Sequence, residues 1–426
     1  MFKEFQKIYK VGGILELPGD KSISHRAVMF SSMAKGESKI FNLSNGEDVR
    51  SSQKCFEQLG AEISREADHI IIKGCGFKGF KKPNAPLDSG NSGTTARLIS
   101  GILIAQNFES VLVGDESLSA RPMKRIITPL AAMGGKIEVT KNFTLPLKYS
   151  PADHIVSINY ELPMASAQVK SAILLAGLHA DSPTTVIEKV PSRDHTERML
   201  GLKVTRTDAG KVSYSSRENY PEPKEYVVPS DISTAAFFIV LTVLAQHSTL
   251  LVKNVSLNET RTGIIEVLKQ MGARIEVENY REIAGEPIGD IVVFSSKLNN
   301  IEIKEEIIPN IIDEIPVLAI AGLLGEGAFT IKRAGELRGK ETDRINALCY
   351  NFRLLGLDVD EFEDGFSVGG SIKNTNVVFE SFKDHRIAMA FSILSFLLDD
   401  GGKINNFECV SISNPDFLKQ VKSITR

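Results

Sequence analysis

A chain of 426 residues is too long for one compact core and suits two domains. Its 42% hydrophobic and 24% charged content is that of a globular protein, and a formal net charge of −3 argues against a nucleic-acid binder that relies on bulk positive charge. Four scattered cysteines without a CxxC pair read as reduced thiols, and seven histidines without ligand spacing argue against a structural metal.

In chain order, the opening Met-Phe-Lys-Glu-Phe-Gln-Lys is too charged for a signal peptide. The pattern then predicts six helices that are apolar almost all round, at 24–34, 94–105, 166–178, 233–245, 313–324 and 384–398. Their starts recur at roughly 67 to 80 residues, near the ~71 of a sixfold repeat. The run 235–245 is the longest apolar stretch and falls well short of the ~20 residues of a membrane helix. The expected location is therefore cytoplasmic.

Between these helices a second pattern recurs: Leu59-Gly60-Ala61-Glu62-Ile63, Met133-Gly134-Gly135-Lys136-Ile137, Leu200-Gly201-Leu202-Lys203-Val204, Met271-Gly272-Ala273-Arg274-Ile275 and Leu355-Gly356-Leu357-Asp358-Val359. Each reads as an amphipathic helix ending at a left-handed glycine and followed by a strand. The chain is thus expected to hold six α/β (or α+β) units of strand–helix–strand–helix form.

Polar groups cluster where the apolar helices begin: Lys21 and Arg26, Arg97, Gln168 and Lys170, Asp231, Asp313, His385 and Arg386. Lys340-Glu341-Thr342-Asp343-Arg344 reads as another helix first turn. Ser, Thr and Asp are ordinary caps. A cation there opposes the helix dipole, which points to a bound anion that offsets the cost. Taken singly each motif is weak. Gly335…Gly339-Lys340 misses the P-loop spacing, and Lys340, Glu341 and Arg344 also fit a salt-bridged surface face.

Several motifs in order carry a resemblance: Gly19-Asp20-Lys21-Ser22, Gly90-Asn91-Ser92-Gly93-Thr94, Arg121-Pro122-Met123, Ser166-Ala167-Gln168-Val169-Lys170, Ser192-Arg193-Asp194-His195, Gly339-Lys340-Glu341-Thr342-Asp343-Arg344 and Asp384-His385-Arg386. Together the chain resembles the 5-enolpyruvylshikimate-3-phosphate synthase family of enolpyruvyl transferases, in its class II-like form. That resemblance implies two lobes of three βαβαββ-type repeats, 20–228 and 1–19 with 229–426, their buried helices converging on an interdomain cleft. It implies transfer of the enolpyruvyl group of phosphoenolpyruvate to the 5-hydroxyl of shikimate-3-phosphate, with no metal or cofactor. The expected partners are these two small molecules and glyphosate as inhibitor, with no membrane or nucleic acid, in a monomer.

By the same resemblance, Lys21, Ser22, Arg26, Ser166, Ala167, Gln168, Ser192, Asp313 and Lys340 bind shikimate-3-phosphate. Lys21, Gly93, Arg121, Gln168, Arg344 and Arg386 bind phosphoenolpyruvate. Lys21, Asp313 and Glu341 are the implied catalytic residues. His195 stands where relatives carry an aromatic hydroxyl, and Ile412 where many carry a lysine. A UDP-N-acetylglucosamine enolpyruvyl transferase fits less well, because Glu116 occupies the place of that family's reactive cysteine and the opening motif is Lys-Ser, not Lys-Asn. A silent paralogue would not retain Lys21, Asp313, Glu341, Arg344 and Arg386 together. A purely structural repeat protein would not need cations at buried helix starts.

Overall fold

The computed structural model describes residues 2–425. The chain divides into two compact units, Gly19–Val228 with Glu282–Glu286, and Met1–Pro18 with Pro229–Arg281 and Pro287–Arg426.

The first unit holds three sheets of one design. In each, a leading strand pairs parallel with a second, which pairs antiparallel with a third, which pairs antiparallel with a fourth. The strands are Glu225–Val227, Lys35–Phe41, His69–Cys75 and Glu62–Arg65; then Leu87–Asp88, Ser110–Val113, Leu147–Ser150 and Lys136–Glu138; then Asn159–Glu161, Thr184–Glu188, Gly210–Ser215 and Val204–Thr207. The second unit repeats the design with Gly12–Leu15, Thr249–Ser256, Glu286–Phe294 and Ile275–Ile283. Two of its sheets have three strands: Phe329–Ile331, Gly365–Gly369 and Asp358–Phe362, and Val378–Glu380, Gly402–Asn405 and Phe2–Phe5.

A parallel pair cannot be joined by a tight hairpin, and in three sheets the crossover is an apolar helix: Gly93–Leu103, Ala167–Gly177 and His385–Leu397. The other apolar helices, Lys21–Met33, Ile232–Leu244 and Ile315–Leu323, each lead into a sheet strand. The first, Gly93–Leu103 and Ala167–Gly177 fill one core, and the remaining three fill the other. The outer amphipathic helices end as the repeated glycine motif predicts. Gly60, Gly134, Gly201, Gly272 and Gly356 all have positive φ, from 61° to 105°, and a strand follows each.

Two local expectations are corrected. The first inner helix begins at Lys21, not residue 24, because Asp20 caps it. Lys340 to Asp343 are not a helix first turn. They form a turn after the 3₁₀ segment Gly335–Gly339, and the helix starts at Arg344, capped by Asp343 at 3.0 Å from the Asn346 nitrogen. Asp343 is the better cap, so the polar run is left outside the helix as a loop. Among the described residues, no helix is long and apolar enough to cross a membrane.

Candidate active site

In the first unit each buried helix begins with an oxygen cap that turns its first residues outward. Asp20 accepts from the Ile23 nitrogen (2.9 Å), Ser92 from Thr95 (3.1 Å) and Ser166 from Val169 (3.4 Å). Helices Gly93–Leu103 and Ala167–Gly177 approach until a β-carbon at Gly101 would lie 2.1 Å from the Ala172 carbonyl oxygen. Only glycine permits that approach. It brings their starts together: Arg97 donates to Gln168 Oε1 at 2.8 Å, and Gln168 Nε2 donates to Thr94 at 3.0 Å.

Cations gather around these starts. Lys21 Nζ lies 2.9 Å from Asp48 Oδ2. Arg121, almost fully buried, donates to Asn91 Oδ1 at 2.9 Å and to Ser117 at 3.2 Å. A β-carbon at Gly93 would meet Arg97 Nη1 at 2.7 Å and Arg121 Nη1 at 3.5 Å, so Gly93 borders both guanidinium groups. Arg26 is 3% exposed and donates to Thr196 Oγ1 (2.7 Å), the Ser22 carbonyl (2.9 Å) and Ser171 Oγ (2.8 Å). Its partners are all neutral, and burial lowers its pKa to about 10, against the pull of Glu197, Asp20 and Glu286 at longer range. Three of its five N–H groups are thus used internally, and two remain for an anion.

One sequence expectation changes here. Lys170 does not face a ligand. It is fully buried and bonded to Glu188 Oε2 and Glu197 Oε1, each at 2.7 Å. Burial works against its charge, but the two carboxylates outweigh that and raise its pKa. His195, which stands where relatives carry an aromatic hydroxyl, is fully buried too, with Nδ1 2.7 Å from Glu286 Oε1.

In the second unit Arg344 is the hub. It is 1% exposed, with Nε 2.8 Å from Asp384 Oδ2, Nη1 3.2 Å from Asp313 Oδ1, and Nη2 bonded to Glu341. Burial opposes its charge, but Asp384, Glu341 and Asp313 outweigh it and raise the pKa. Asp384 also caps helix His385–Leu397 through the Arg386 nitrogen at 2.7 Å. Arg386 Nη1 donates to the Asp313 carbonyl at 2.9 Å. Lys340 Nζ lies 2.8 Å from Glu336 and 3.9 Å from Asp313. Two carboxylates, Asp313 and Glu341, therefore share one guanidinium, an arrangement suited to moving two protons beside a bound anion. Ile412 ends the 3₁₀ segment Phe407–Ile412 and packs against the core. Among the described residues no cluster of three His, Cys, Asp or Glu side chains is placed to hold a metal.

The structure thus brings Lys21, Ser22, Arg26, Gly93, Arg121, Ser166, Ala167, Gln168 and Ser192 onto the first unit, and Asp313, Lys340, Glu341, Arg344 and Arg386 onto the second. Sequence reasoning missed Asp48, Glu188 and Asp384's pairing with Arg344. Asp48 and Glu188 stand in no motif, and only the fold places them against their cations.

Three small mixed α/β sheets in each unit, with polar starts on buried helices, make up the two-domain fold of the enolpyruvyl transferases. The enolpyruvyl transferase NikO of Streptomyces tendae shares the fold at 13% identity, with a TM-score of 0.74 over 99% of this chain and 97% of that one. Residues 5–421 match the family described as EPSP synthase (3-phosphoshikimate 1-carboxyvinyltransferase), and the chain belongs to that family. It is 48% identical over 416 residues to the 3-phosphoshikimate 1-carboxyvinyltransferase of Petrotoga mobilis, covering 96% of each chain. It is 45% identical to that of Alkaliphilus metalliredigens over 99% of each. The EPSP synthase structure of Acinetobacter baumannii superposes with a TM-score of 0.87 at 40% identity, covering 100% of this chain and 98% of that one. The chain is accordingly an enzyme of the shikimate pathway that transfers an enolpyruvyl group from phosphoenolpyruvate to shikimate-3-phosphate.

Proposed function

We propose a division of labour among the named residues for that reaction. Shikimate-3-phosphate is held by Lys21, Ser22, Arg26, Ser166, Ala167 through its backbone, Gln168, Ser192, Asp313 and Lys340. Phosphoenolpyruvate is held by Lys21, Gly93, Arg121, Gln168, Arg344 and Arg386. Arginine suits both, because its fork meets carboxylate and phosphate oxygens in pairs.

The 5-oxygen attacks C2 of phosphoenolpyruvate as its proton passes to Asp313. Glu341 delivers a proton to C3, giving a tetrahedral adduct with a methyl group. Elimination reverses the C3 transfer: Glu341 takes a proton back, the C2–O bond to phosphate breaks, Asp313 passes the hydroxyl's proton to the departing phosphate, and the enol ether and phosphate leave. The observation that carries this assignment is the sharing of Arg344 by Asp313 and Glu341. A substrate carboxylate arriving at Arg344 competes for its N–H groups and releases both side chains for proton exchange.

The proposal extends to a monomer that works in the cytoplasm, needs no added cofactor and is inhibited by glyphosate at the phosphoenolpyruvate site. The test is phosphate release from phosphoenolpyruvate with shikimate-3-phosphate or UDP-N-acetylglucosamine as acceptor, in metal-chelated buffer. Release is expected with the first acceptor alone. Release with the second, or a need for metal, overturns the reading.

A further inference from the structure

Lys170 was singled out in the sequence as a candidate anion ligand, yet it is buried against two carboxylates in the first unit. The triad reaches two residues assigned above to shikimate-3-phosphate. Glu188 Oε1 accepts from the Ser192 backbone nitrogen at 3.1 Å and from the Ser192 hydroxyl, while its Oε2 takes Lys170. Lys170 also donates to the Ser192 carbonyl at 3.5 Å. The short segment bearing Ser192 is therefore gripped at its N–H, its C=O and its side chain by one buried ion pair.

The second limb runs to Arg26. Lys170 and Ser171 are neighbours on helix Ala167–Gly177, and Thr196 and Glu197 on helix His195–Leu200. The Lys170–Glu197 pair ties these helices at the level where Ser171 and Thr196 bond each other, at 2.7 Å, and both accept from Arg26. Ser213 Oγ donates to Glu197 at 3.2 Å and fixes its carboxylate further. The triad carries one net negative charge next to the single positive charge of Arg26. That charge acts from a distance, without a direct salt bridge that would occupy the guanidinium.

We propose that Lys170, Glu188 and Glu197 are positioning residues that set affinity for shikimate-3-phosphate by presenting Ser192 and Arg26. The inference rests on the assignment of those two residues as ligands, and the experiment separates the two ideas.

Glu188→Gln keeps the shape and leaves Lys170 neutralised by Glu197. In the full-length protein it is expected to raise the shikimate-3-phosphate KM about tenfold, the loss of one charged hydrogen bond. The phosphoenolpyruvate KM and kcat should stay within about twofold, a split that general loosening of the fold would not produce. Ser192→Ala should raise the same KM, and the double variant should be no worse than the poorer single one, because Glu188 reaches the ligand through Ser192, whose hydroxyl is then already gone. Should Glu188→Gln fail to fold, Glu188→Asp keeps the charge, shortens the reach to Ser192 and carries the same expectations. An unchanged shikimate-3-phosphate KM in Glu188→Gln, additive effects in the double variant, or a parallel fall in kcat and in both affinities overturns the positioning role. An unchanged KM in Ser192→Ala alone overturns the assignment of Ser192. The triad is then judged on Glu197→Gln, where the shikimate-3-phosphate KM must rise about tenfold through Arg26 or the inference fails.

Discussion

At the scale of single residues, Glu341 and Gly93 separate chemistry from shape. Glu341→Gln keeps the contact with Arg344 but cannot exchange a proton at C3. Turnover is expected to fall by ~10²–10⁴ with substrate affinities little changed. A fall of less than about fivefold, well below that range, removes Glu341 from the proton path. Gly93→Ala is different, because no positive φ opposes alanine there. Its methyl would press on the Arg97 guanidinium at 2.7 Å and approach that of Arg121. The Arg97 guanidinium is the far end of a flexible side chain and must shift to make room. Glyphosate is longer than phosphoenolpyruvate, so it should be penalised more, by about 1–3 kcal/mol. The ratio of glyphosate inhibition constant to phosphoenolpyruvate KM should rise in the alanine variant. An unchanged ratio would show that Gly93 does not border the phosphoenolpyruvate site.

At the scale of elements, the helix ends decide how the protein responds to acid. His179 follows helix Ala167–Gly177, the helix whose other end carries Gln168. Its ring stacks on Phe77 at 5.3 Å and meets Tyr220 edge-on, and neither ring nitrogen has a hydrogen-bond partner. Burial, with Lys78 and Arg217 nearby, lowers its pKa to about 4. The unfolded chain, with an ordinary histidine, binds the proton first as pH falls. Stability is therefore complete above pH ~6.5, falls as pH drops below it, and the loss is complete near pH 4. Between pH 7 and 5 this one group should cost about 2 kcal/mol. His25, also buried and with its pKa lowered by burial and by Lys21 and Arg26, acts in the same direction. Comparing wild type with His179→Phe isolates one contribution. Urea unfolding at pH 7 and pH 5 should show a smaller loss in the variant, and equal losses would refute the neutral buried histidine.

Much at this scale was legible in the sequence. Apolar, Gly and β-branched spacing marks five helix-to-strand joints because each joint is a local event within five residues. The six inner helices show in their all-round hydrophobicity. The direction of a cation does not show. Lys21 and Lys170 follow caps in similar motifs, yet Lys21 pairs with Asp48 at the helix start while Lys170 turns into the core toward Glu188 and Glu197. Sequence spacing gives no sign of which carboxylate the fold will deliver, so the Lys170 triad and the Arg344 hub emerge only in three dimensions.

At the scale of the whole molecule, the division of apolar cores follows chain connectivity. The first core runs from Ile23 to Val228, and its first sheet is closed by Glu225–Val227, from the end of the same stretch. A fragment of residues 19–228 therefore contains its whole core and should fold alone, with one cooperative urea transition. The second core instead needs the N-terminal segment. Phe2–Phe5 pairs with Gly402–Asn405, Gly12–Leu15 pairs with Thr249–Ser256, and Phe5, Val11, Leu15 and Leu17 are all buried in it. Deleting residues 2–17 removes these four side chains, each worth about 1.5–3 kcal/mol of burial. The sum rivals the ~5–15 kcal/mol that stabilises a domain. The truncated chain should lose the second unit and retain the first, seen as exchange-protected amides confined to the inner helices and sheets of residues 19–228. Protection surviving in His385–Leu397 would show that the second core closes without its N-terminal strands, and that the chain's return to its own start is dispensable.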